Sequence, residues 1–269
     1  MTPASPVSSA SAASSATPPR PVVLVTGVGR TVGIGAAIAV RLAADGWDVG
    51  TTYWTAYDDR MPWGRHEEDP KSVAAALAEH GARTVAVEAD LSDVRTPAAV
   101  LDEVTAALGP VTALVMCHCE STDSSILDTT VESFDRHYAV NVRASWLLVK
   151  ELAERFPAEA AGRGRIVGLT SDHTAHNLPY GATKGALDRV VLAAARELQD
   201  LRLTSNVVNP GPVDTGWMTE ELREWARSNS PLGRGGRPED TAALVSFLLS
   251  EDGGWVNGQL LHSDGGLHA

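Results

Sequence analysis

The sequence predicts an α/β fold in which a doubly wound parallel sheet of about seven strands carries helices on both faces. Segments with strand and helix character alternate along the chain, and strand-like runs such as VVLVTG at residues 22–27 are continuously apolar. Strands of that kind are buried on both faces, as in a parallel sheet. No change of composition divides the chain after residue 21, so we expect a single domain over residues 21–269.

The first half of the chain continues this alternation. Residues 35–46 (GAAIAVRLAADG) have helical composition and end at a glycine, which is typical of a helix C-terminus. Residues 47–54 (WDVGTTYW) are rich in β-branched and aromatic side chains and predict the second strand. The remaining elements predicted in this half are a helix at 71–80, a strand at 83–90, a helix at 97–108 and a strand at 111–117.

The second half has longer helical stretches between its apolar strands. The predicted elements are a helical stretch at 131–156, a strand at 164–171 (GRIVGLTS), a helix at 180–201 and a strand at 204–211 (TSNVVNPG). A polar segment at 214–230 precedes a helix at 240–249 and a last strand at 258–264 (GQLLHSD).

The charge balance excludes two classes of partner. The 269-residue chain has 22 lysine and arginine residues against 34 aspartate and glutamate residues, which gives a net charge of −12. Nucleic acids and anionic membranes both bind basic surfaces, so we expect neither as a partner. The apolar runs are also too short and interrupted to span a bilayer.

Residues 1–20 differ in composition from the rest of the chain. They form a Ser/Ala/Pro tract that contains a single arginine. The tract lacks the basic start and the apolar centre of a secretory signal. We therefore expect a disordered N-terminal tail.

The two cysteines, Cys117 and Cys119, flank His118 where a predicted strand ends. Residues two apart on a strand lie about 6–7 Å from each other, which is poor geometry for a disulfide. No second cysteine or histidine pair stands at ligand spacing elsewhere, so no metal site is predicted. Buried thiols in a reducing compartment are the better interpretation, and we expect a cytoplasmic protein.

The turn between the first strand and the first helix is rich in glycine. Residues 26–35 read TGVGRTVGIG. Glycines at such a turn let backbone amides approach a pyrophosphate, and the following helix N-terminus favours the negative charge. No Gly-Lys-Ser/Thr follows, which disfavours a nucleoside-triphosphate loop. A dinucleotide is the predicted ligand.

A tyrosine and a lysine stand one helical turn apart in the stretch SDHTAHNLPYGATK. Tyr180 and Lys184 share one helix face, with β-carbons about 5–6 Å apart. A nearby ammonium group is expected to lower the phenol pKa and so prepare it for acid–base catalysis. Taken alone, such a pair is more often a surface tyrosine beside a solvated lysine.

Together these motifs resemble the short-chain dehydrogenase/reductase family over nearly all of residues 21–267. The resemblance rests on the glycine-rich turn together with EADL at 88–91, NVRA at 141–144, TS at 170–171, YGATK at 180–184, NPGPVDT at 209–215 and NGQLLHSDGG at 257–266. It implies a Rossmann-type fold, a nicotinamide dinucleotide cofactor and a small-molecule carbonyl or alcohol substrate. It also implies a homodimer or homotetramer.

The resemblance assigns roles to four residues. Tyr180 would exchange the substrate proton, Lys184 would hold the nicotinamide ribose and tune Tyr180, and Ser171 would bind the carbonyl oxygen. Asn141 would hold a water that connects Lys184 to solvent. Ser171 is preferred to Thr170, which points to the other face of the strand, although its separation from Tyr180 is nine residues instead of the usual thirteen.

The resemblance also implies a set of cofactor-binding positions. They are Gly27, Arg30, Gly33, Ile34, Gly35, Tyr53, Asp90, Leu91, Cys117, His118, Tyr180, Lys184, Pro210, Gly211, Val213 and Thr215. By analogy, the segment after NPGPVDT forms a lid, and His173, His176, Trp217 and Met218 give the substrate pocket aromatic and polar walls.

Three features depart from the family pattern. The glycine turn is two residues longer than usual, as in the enoyl thioester reductases of the same superfamily. The sequence MCHC at 116–119 replaces Asn-Asn-Ala-Gly, so His118 is either packed at the strand end or a substrate contact. No acidic residue ends the second strand at Tyr53, which favours NADP(H) over NAD(H), with Arg30, Arg60 or Arg65 as candidates for the 2′-phosphate.

Three functions therefore remain open from the sequence. The leading one is an oxidoreductase that transfers a hydride between NAD(P)H and a carbonyl or secondary alcohol, such as a ketoreductase of secondary metabolism or of 3-oxoacyl thioesters. The alternatives are a dinucleotide-binding regulator without turnover and an enoyl thioester reductase. The spacing Tyr-x3-Lys favours the carbonyl enzyme, because the enoyl enzymes use Tyr-x6-Lys.

Overall fold

The computed structural model describes residues 19–216 and 218–268. The predicted tail lies outside this range except for its last two residues, and Trp217 lies outside it as well. Within the described part, no helix combines the length and the apolar character that crossing a bilayer requires.

The strands form one parallel sheet, which confirms the predicted fold class. Its seven strands are ordered β3-β2-β1-β4-β5-β6-β7, and every neighbouring pair is parallel. The strands are β1 (Val22–Thr26), β2 (Asp48–Tyr53), β3 (Thr84–Glu88), β4 (Val111–Met116), β5 (Arg165–Leu169), β6 (Thr204–Asn209) and β7 (Leu260–His262).

Helices cover both faces of the sheet. They are α1 (Ile34–Ala44), α2 (Thr55–Asp58), α3 (Asp69–Glu79), α4 (Thr96–Leu108), α5 (Val131–His137), α6 (Ala144–Glu154), α7 (Leu178–Glu197), α8 (Glu220–Asn229) and α9 (Pro238–Leu249). Short 3-10 turns follow at Ala158–Ala160, Gln199–Leu201 and Asp252–Trp255.

The sheet separates two apolar cores, and the side-chain alternation of β1 contributes to both. Val22 and Leu24 belong to the core under α4, α6 and α7, whereas Val23 and Val25 belong to the core under α1, α3 and α9. All five residues of β1 are buried. This double burial explains why the first strand is apolar without alternation.

The helical stretch predicted at 131–156 is not one regular helix. A π-helical turn at Tyr138–Arg143 separates α5 from α6. Asn141 lies in this turn, and its side chain bonds to the backbone of Glu120, which follows β4. Because that partner is distant in sequence, helical periodicity alone does not reveal the irregular turn.

Two helices occur where none was predicted. The polar segment at 214–230 contains α8, which begins after Thr219, whose hydroxyl accepts a hydrogen bond from the Leu222 amide at 3.2 Å. Acidic residues fill its first turn, as the helix dipole favours. The other is α2, a single turn directly after β2.

Candidate active site

The predicted site residues meet at one edge of the sheet. In a parallel sheet the carboxyl ends of all strands lie at the same edge, where ligands bind near the point at which the strand order reverses. That point lies here between β1 and β4. Gly27 follows β1, Cys117 follows β4, Ser171 lies two residues beyond β5, and Pro210 follows β6.

Close backbone approach explains two glycines of the turn after β1. Gly27 has φ +74°, and a Cβ there would lie 2.6 Å from the His118 amide nitrogen. A Cβ on Gly35 would lie 2.7 Å from the Gly27 carbonyl oxygen. Side chains at either position would push the first helix away from the strand ends.

The N-terminus of α1 is free of side-chain caps. Gly33 is the N-cap residue and supplies no side-chain hydrogen bond, and the first turn of α1 contains no acidic residue. Exposed amides and an unopposed helix dipole at a glycine-lined turn suit the pyrophosphate of a dinucleotide. Ile34, another predicted cofactor position, is the first residue of α1 and is half-buried.

Arg30 connects this turn to the loop after β6. Its guanidinium donates to the Thr215 carbonyl oxygen at 2.7 Å and stacks on the Trp63 ring at 4.5 Å. The structure thus brings together two predicted cofactor positions that are 185 residues apart. Gly211 and Val213 shape the same loop, with φ +63° at Gly211 and a parallel bridge from Val213 to Gly236.

The segment after β2 is held by side-chain contacts. Asp58 accepts a hydrogen bond from the Trp63 indole nitrogen at 2.9 Å, and a Cβ on Gly29 would lie 2.9 Å from an Asp58 carboxylate oxygen. Burial raises the pKa of Asp58. This contact places the segment against the glycine turn, next to Tyr53 at the end of β2.

The three arginines considered for a 2′-phosphate have different surroundings. Arg60 makes a bidentate ion pair with the buried Glu120, with N–O distances of 2.9 and 3.0 Å, and Arg136 contacts the same carboxylate at 3.1 Å. Arg65 is half-exposed and pairs with Asp59 and Glu67. Among these three arginines in the described part of the chain, Arg30 is the one that donates a hydrogen bond to the loop after β6.

Tyr180 and Lys184 lie on the first two turns of α7. The Lys184 ammonium lies 5.6 Å from the centroid of the Tyr180 ring and donates a hydrogen bond to the Leu169 carbonyl oxygen at 2.8 Å. Lys184 is buried, and this burial lowers its pKa. The lysine is therefore fixed between the end of β5 and the phenol ring.

The pKa of Tyr180 moves in the opposite direction to the predicted one. Burial raises it above its ordinary value, with the nearby Cys119 adding to the rise, while a hydrogen bond with Ser171 opposes both. Lys184 does not lower it here, because its ammonium points to Leu169 and its own charged form is destabilised by burial. In this state the phenol keeps its proton at neutral pH.

Ser171, rather than Thr170, faces Tyr180. The Ser171 hydroxyl accepts a hydrogen bond from the His173 amide at 3.2 Å and lies close enough to Tyr180 to oppose the rise of its pKa, whereas the Thr170 hydroxyl donates to the Lys184 carbonyl oxygen at 3.3 Å inside the core. The shortened loop between Ser171 and α7 lies directly on the helix, where a Cβ on Gly181 would overlap the His173 carbonyl oxygen. His173 and His176 are exposed in this loop.

Asn141 has all its side-chain bonds made to protein atoms. Its carbonyl oxygen accepts from the Glu120 amide at 2.7 Å, and its amide group donates to the Glu120 carbonyl oxygen and to the Thr183 hydroxyl, both at 2.9 Å. Thr183 precedes Lys184 on α7. Asn141 therefore joins the π-helical turn, the loop after β4 and helix α7.

The MCHC segment packs inward. His118 is buried, with Nδ1 2.6 Å from the Thr26 hydroxyl and Nε2 3.1 Å from the Val140 carbonyl oxygen. Burial lowers the pKa of His118 to about 3, so the ring is neutral, and burial raises the pKa of Cys117 to about 12. Both cysteines are free thiols. The His118 side chain is thus a packed ring at the strand end.

Asp90 and Leu91 follow β3, on the adenosine side of the edge. The Asp90 carboxylate accepts a hydrogen bond from the Ser92 amide at 2.9 Å, and Leu91 is buried. Tyr57 is not among the predicted residues, yet it lies close to Cys119 and Tyr180, and burial raises its pKa with both of these neighbours adding to the rise. The only sequence signal that could have placed Tyr57 near Tyr180 is its position just after β2.

Comparison with known proteins places the chain in a family. Residues 27–268 match the family described as "Enoyl-(Acyl carrier protein) reductase". The uncharacterized oxidoreductase YjdA of Bacillus subtilis (strain 168) is 34% identical over 249 residues, which cover 91% of this chain and 96% of that protein. A protein of Arabidopsis thaliana described as "NADPH-dependent aldehyde reductase-like protein, chloroplastic" is 35% identical over 264 residues, 93% of this chain and 96% of its own length.

A solved structure agrees with these relatives. The short chain dehydrogenase from Burkholderia cenocepacia J2315, solved in complex with NADP, superposes with a TM-score of 0.81 at 33% identity. The match covers 93% of this chain and 98% of that one. The chain therefore belongs to the short-chain dehydrogenase/reductase family and is an NAD(P)-dependent oxidoreductase that interconverts carbonyl groups and alcohols.

Proposed function

We propose that the chain is an NADP(H)-dependent reductase of ketones or aldehydes in which Tyr180 is the proton donor. One observation carries this proposal. Tyr180 and Ser171 lie close together beside the buried Lys184, whose ammonium is 5.6 Å from the Tyr180 ring, at the edge of the sheet where the glycine turn also lies. Two adjacent hydroxyl groups can bind one carbonyl oxygen, which is the arrangement that reduction requires.

The glycine turn holds the pyrophosphate of the cofactor. The N-terminus of α1 after Gly33 binds its charge, and Gly27 lets the turn pass close to the His118 backbone and so fixes where the turn lies. When bound, the nicotinamide supplies the hydride that adds to the carbonyl carbon.

Tyr180 supplies the proton to the carbonyl oxygen. The phenol is protonated at neutral pH and can donate, although the rise of its pKa on burial makes it a weaker acid. Ser171 donates a second hydrogen bond to the same oxygen and so stabilises the negative charge that develops on it. The product is the alcohol, and the reverse reaction requires Tyr180 to accept the proton.

Lys184 and Asn141 hold the donor in place. Lys184 has further N–H groups beyond the one given to Leu169, and we assign these to the nicotinamide ribose. Asn141 is a positioning residue, because its bonds to Glu120 and Thr183 fix the start of α7. We also propose that a water bound at the Asn141 backbone carries protons between Lys184 and solvent.

NADP(H) is the preferred cofactor. Tyr53 ends β2 where an NAD-specific site would have an acidic residue. Arg30 lies between the glycine turn and the loop after β6, and we assign it to the 2′-phosphate. The Arabidopsis relative is described as NADPH-dependent and the Burkholderia structure contains NADP. We place the protein in the cytoplasm, where NADPH and free thiols are both maintained.

An enoyl thioester reductase is the second candidate. The description of the matched family and the two-residue extension of the glycine turn favour it. Against it stands the close pair of Ser171 and Tyr180, whose two hydroxyl groups suit a carbonyl oxygen. The net charge of −12 also disfavours a substrate tethered to an acidic carrier protein.

We further propose a homodimer or homotetramer. Large apolar side chains are exposed on two surfaces, namely Val131, Phe134, Tyr138 and Trp146 on α5 to α6, and Phe247, Trp255 and Leu260 around α9 and β7. Trp255 is 97% exposed. Patches of this kind mark interfaces, and sedimentation of a monomer at micromolar concentration would contradict the assembly.

The experiment that tests the reaction class follows NADPH oxidation with matched substrates. Purified enzyme is offered activated ketones and aldehydes beside conjugated thioesters, with NADH as the cofactor control. We expect turnover of the carbonyl compounds with a preference for NADPH. Turnover of the conjugated thioester alone would establish the enoyl reductase instead.

A further inference from the structure

A cluster of potential metal ligands lies where the chain ends, beyond β7. Within the described residues, His262, Asp264 and His268 each place one ligand atom within 4.8 Å of the others. One Asp264 carboxylate oxygen lies 2.6 Å from Nδ1 of His268 and 3.8 Å from Nδ1 of His262. The two imidazole rings are 4.6 Å apart between centroids. One carboxylate oxygen thus faces two imidazoles.

The loop after β5 supports this cluster. The Asp172 carboxylate contacts Nε2 of His268, the ring nitrogen that does not face Asp264, and Asp172 directly follows Ser171. A carboxylate on the second nitrogen of a ligating histidine orients the ring. The cluster therefore joins the end of the chain to the loop that carries a proposed catalytic residue.

The central carboxylate is held in a fixed orientation. Asp264 has a side chain that is only 5% exposed, and its other oxygen accepts a hydrogen bond from the Gly266 amide at 2.9 Å. Its Cβ also packs against Gly211, where an added Cβ would lie 2.5 Å away. Ligating carboxylates in metal sites are oriented by hydrogen bonds of this kind.

We propose that His262, Asp264 and His268 bind a divalent transition-metal ion of the zinc class, with Asp172 orienting His268 from its other ring nitrogen. Two imidazoles and one carboxylate match the donor preference of Zn²⁺, which takes three protein ligands and a water in an open tetrahedral site. Hard cations such as Mg²⁺ prefer oxygen ligands and fit this set poorly.

The ion would act as a clamp on the substrate side of the site. Through His268 it would connect the loop at Asp172 to the chain end, and Asp264 in turn packs against Gly211 in the loop after β6. Binding to the folded state alone stabilises a protein by mass action. Added Zn²⁺ is therefore expected to raise the melting temperature of the whole enzyme.

The test uses full-length protein without a histidine tag, treated with a chelator and then titrated with Zn²⁺ by calorimetry. Co²⁺ titration in parallel reports tetrahedral coordination through its visible absorption. We expect one ion per chain, and a loss of affinity of about 100-fold or more in both His262→Gln and His268→Gln. His80→Gln, an exposed histidine after α3, is the matched control and should bind as the wild type does.

Two results would overturn the proposal. If the wild type binds Zn²⁺ no more tightly than the His262→Gln/His268→Gln double variant, the cluster is an ion pair of His268 with its carboxylates. If both single variants keep full affinity while the wild type binds tightly, the ion sits elsewhere, with Cys117 and Cys119 the next ligands to test. Circular dichroism of each variant shows that it is folded.

Discussion

The two halves of the cleft at the sheet edge are held by different kinds of contact. On the catalytic side, Lys184 and Asn141 bond to backbone atoms of Leu169 and Glu120. On the adenosine side, the segment after β2 is held by side chain to side chain contacts such as Arg60 with Glu120 and Arg30 with Trp63. Backbone partners exist whatever the neighbouring residues are, whereas side-chain partners depend on the particular sequence.

This difference explains which half the family motifs describe. The catalytic residues can be assigned by resemblance because their partners are backbone groups at fixed places in the fold. The segment after β2 has partners specific to this chain, and we propose that this side determines the choice of cofactor. The following predictions separate the two halves experimentally.

The largest effect is expected at Gly27, where the halves touch. In Gly27→Ala the new Cβ would meet the His118 backbone at 2.6 Å, and the φ of +74° adds a conformational cost of about 1–2 kcal/mol. We expect NADPH affinity to fall by more than about 100-fold, equivalent to about 2.7 kcal/mol, as measured by fluorescence titration.

Gly162→Ala is the matched control for that clash. Gly162 also has positive φ, +86°, but its Cβ would meet nothing within 4 Å. It should lose a little stability and bind NADPH normally. Equal losses of affinity in the two variants would show that backbone conformation, rather than contact between the halves, causes the effect.

Arg30 tests the assignment of the 2′-phosphate, and its replacement also removes the hydrogen bond to Thr215. Arg30→Met keeps much of the stacking volume on Trp63 but removes the charge assigned to the 2′-phosphate. Charge-assisted hydrogen bonds contribute about 1.5–3 kcal/mol, so the Kd of NADPH should rise about 10- to 100-fold while that of NADH changes little. The half-exposed Arg65 gives the control, Arg65→Met. A parallel rise for both cofactors would remove Arg30 from the 2′-phosphate site.

Glu120 tests the connection between the halves through stability. Its carboxylate is 4% exposed and bonds Arg60 and Arg136, while its backbone bonds Asn141. Glu120→Gln should lower the free energy of unfolding by about 1.5–3 kcal/mol, measured by denaturant titration.

The control for Glu120 is Glu154→Gln, which removes one partner of an exposed pair with Lys150. This change should cost about 0.5 kcal/mol or less. If Glu120→Gln costs no more than Glu154→Gln, the ion pairs of the adenosine side contribute nothing to the fold.

Much of the fold could be predicted from the sequence because its signals are local. All seven strands were predicted from apolar runs, and the strand ends then place Gly27 and Ser171 at one edge. The π-helical turn at Asn141 could not be predicted, because its cause is a bond to Glu120 in another loop. Helix α8 was missed although Thr219 and the acidic residues after it are a recognisable helix start.

Prediction of the site from the sequence has the same limit, because it misses effects that depend on packing. The predicted positions of Tyr180, Lys184 and Ser171 lie together, but the direction of the Tyr180 pKa shift was wrong, because it depends on burial and on where Lys184 points. The roles of these residues remain predictions. The contacts of Tyr57 with Cys119 depend on side-chain packing that periodicity does not encode.

The measurement that tests the central claim most directly is single-turnover oxidation of bound NADPH by an activated ketone in Tyr180→Phe. The phenylalanine keeps the ring and removes the transferable proton, and Tyr138→Phe, which changes a half-exposed tyrosine, is the control. We expect Tyr180→Phe to bind NADPH as the wild type does and to lose about 10²- to 10⁴-fold in rate, with the control unaffected. A folded, NADPH-bound Tyr180→Phe that reacts at the wild-type rate would show that the proton comes from another group.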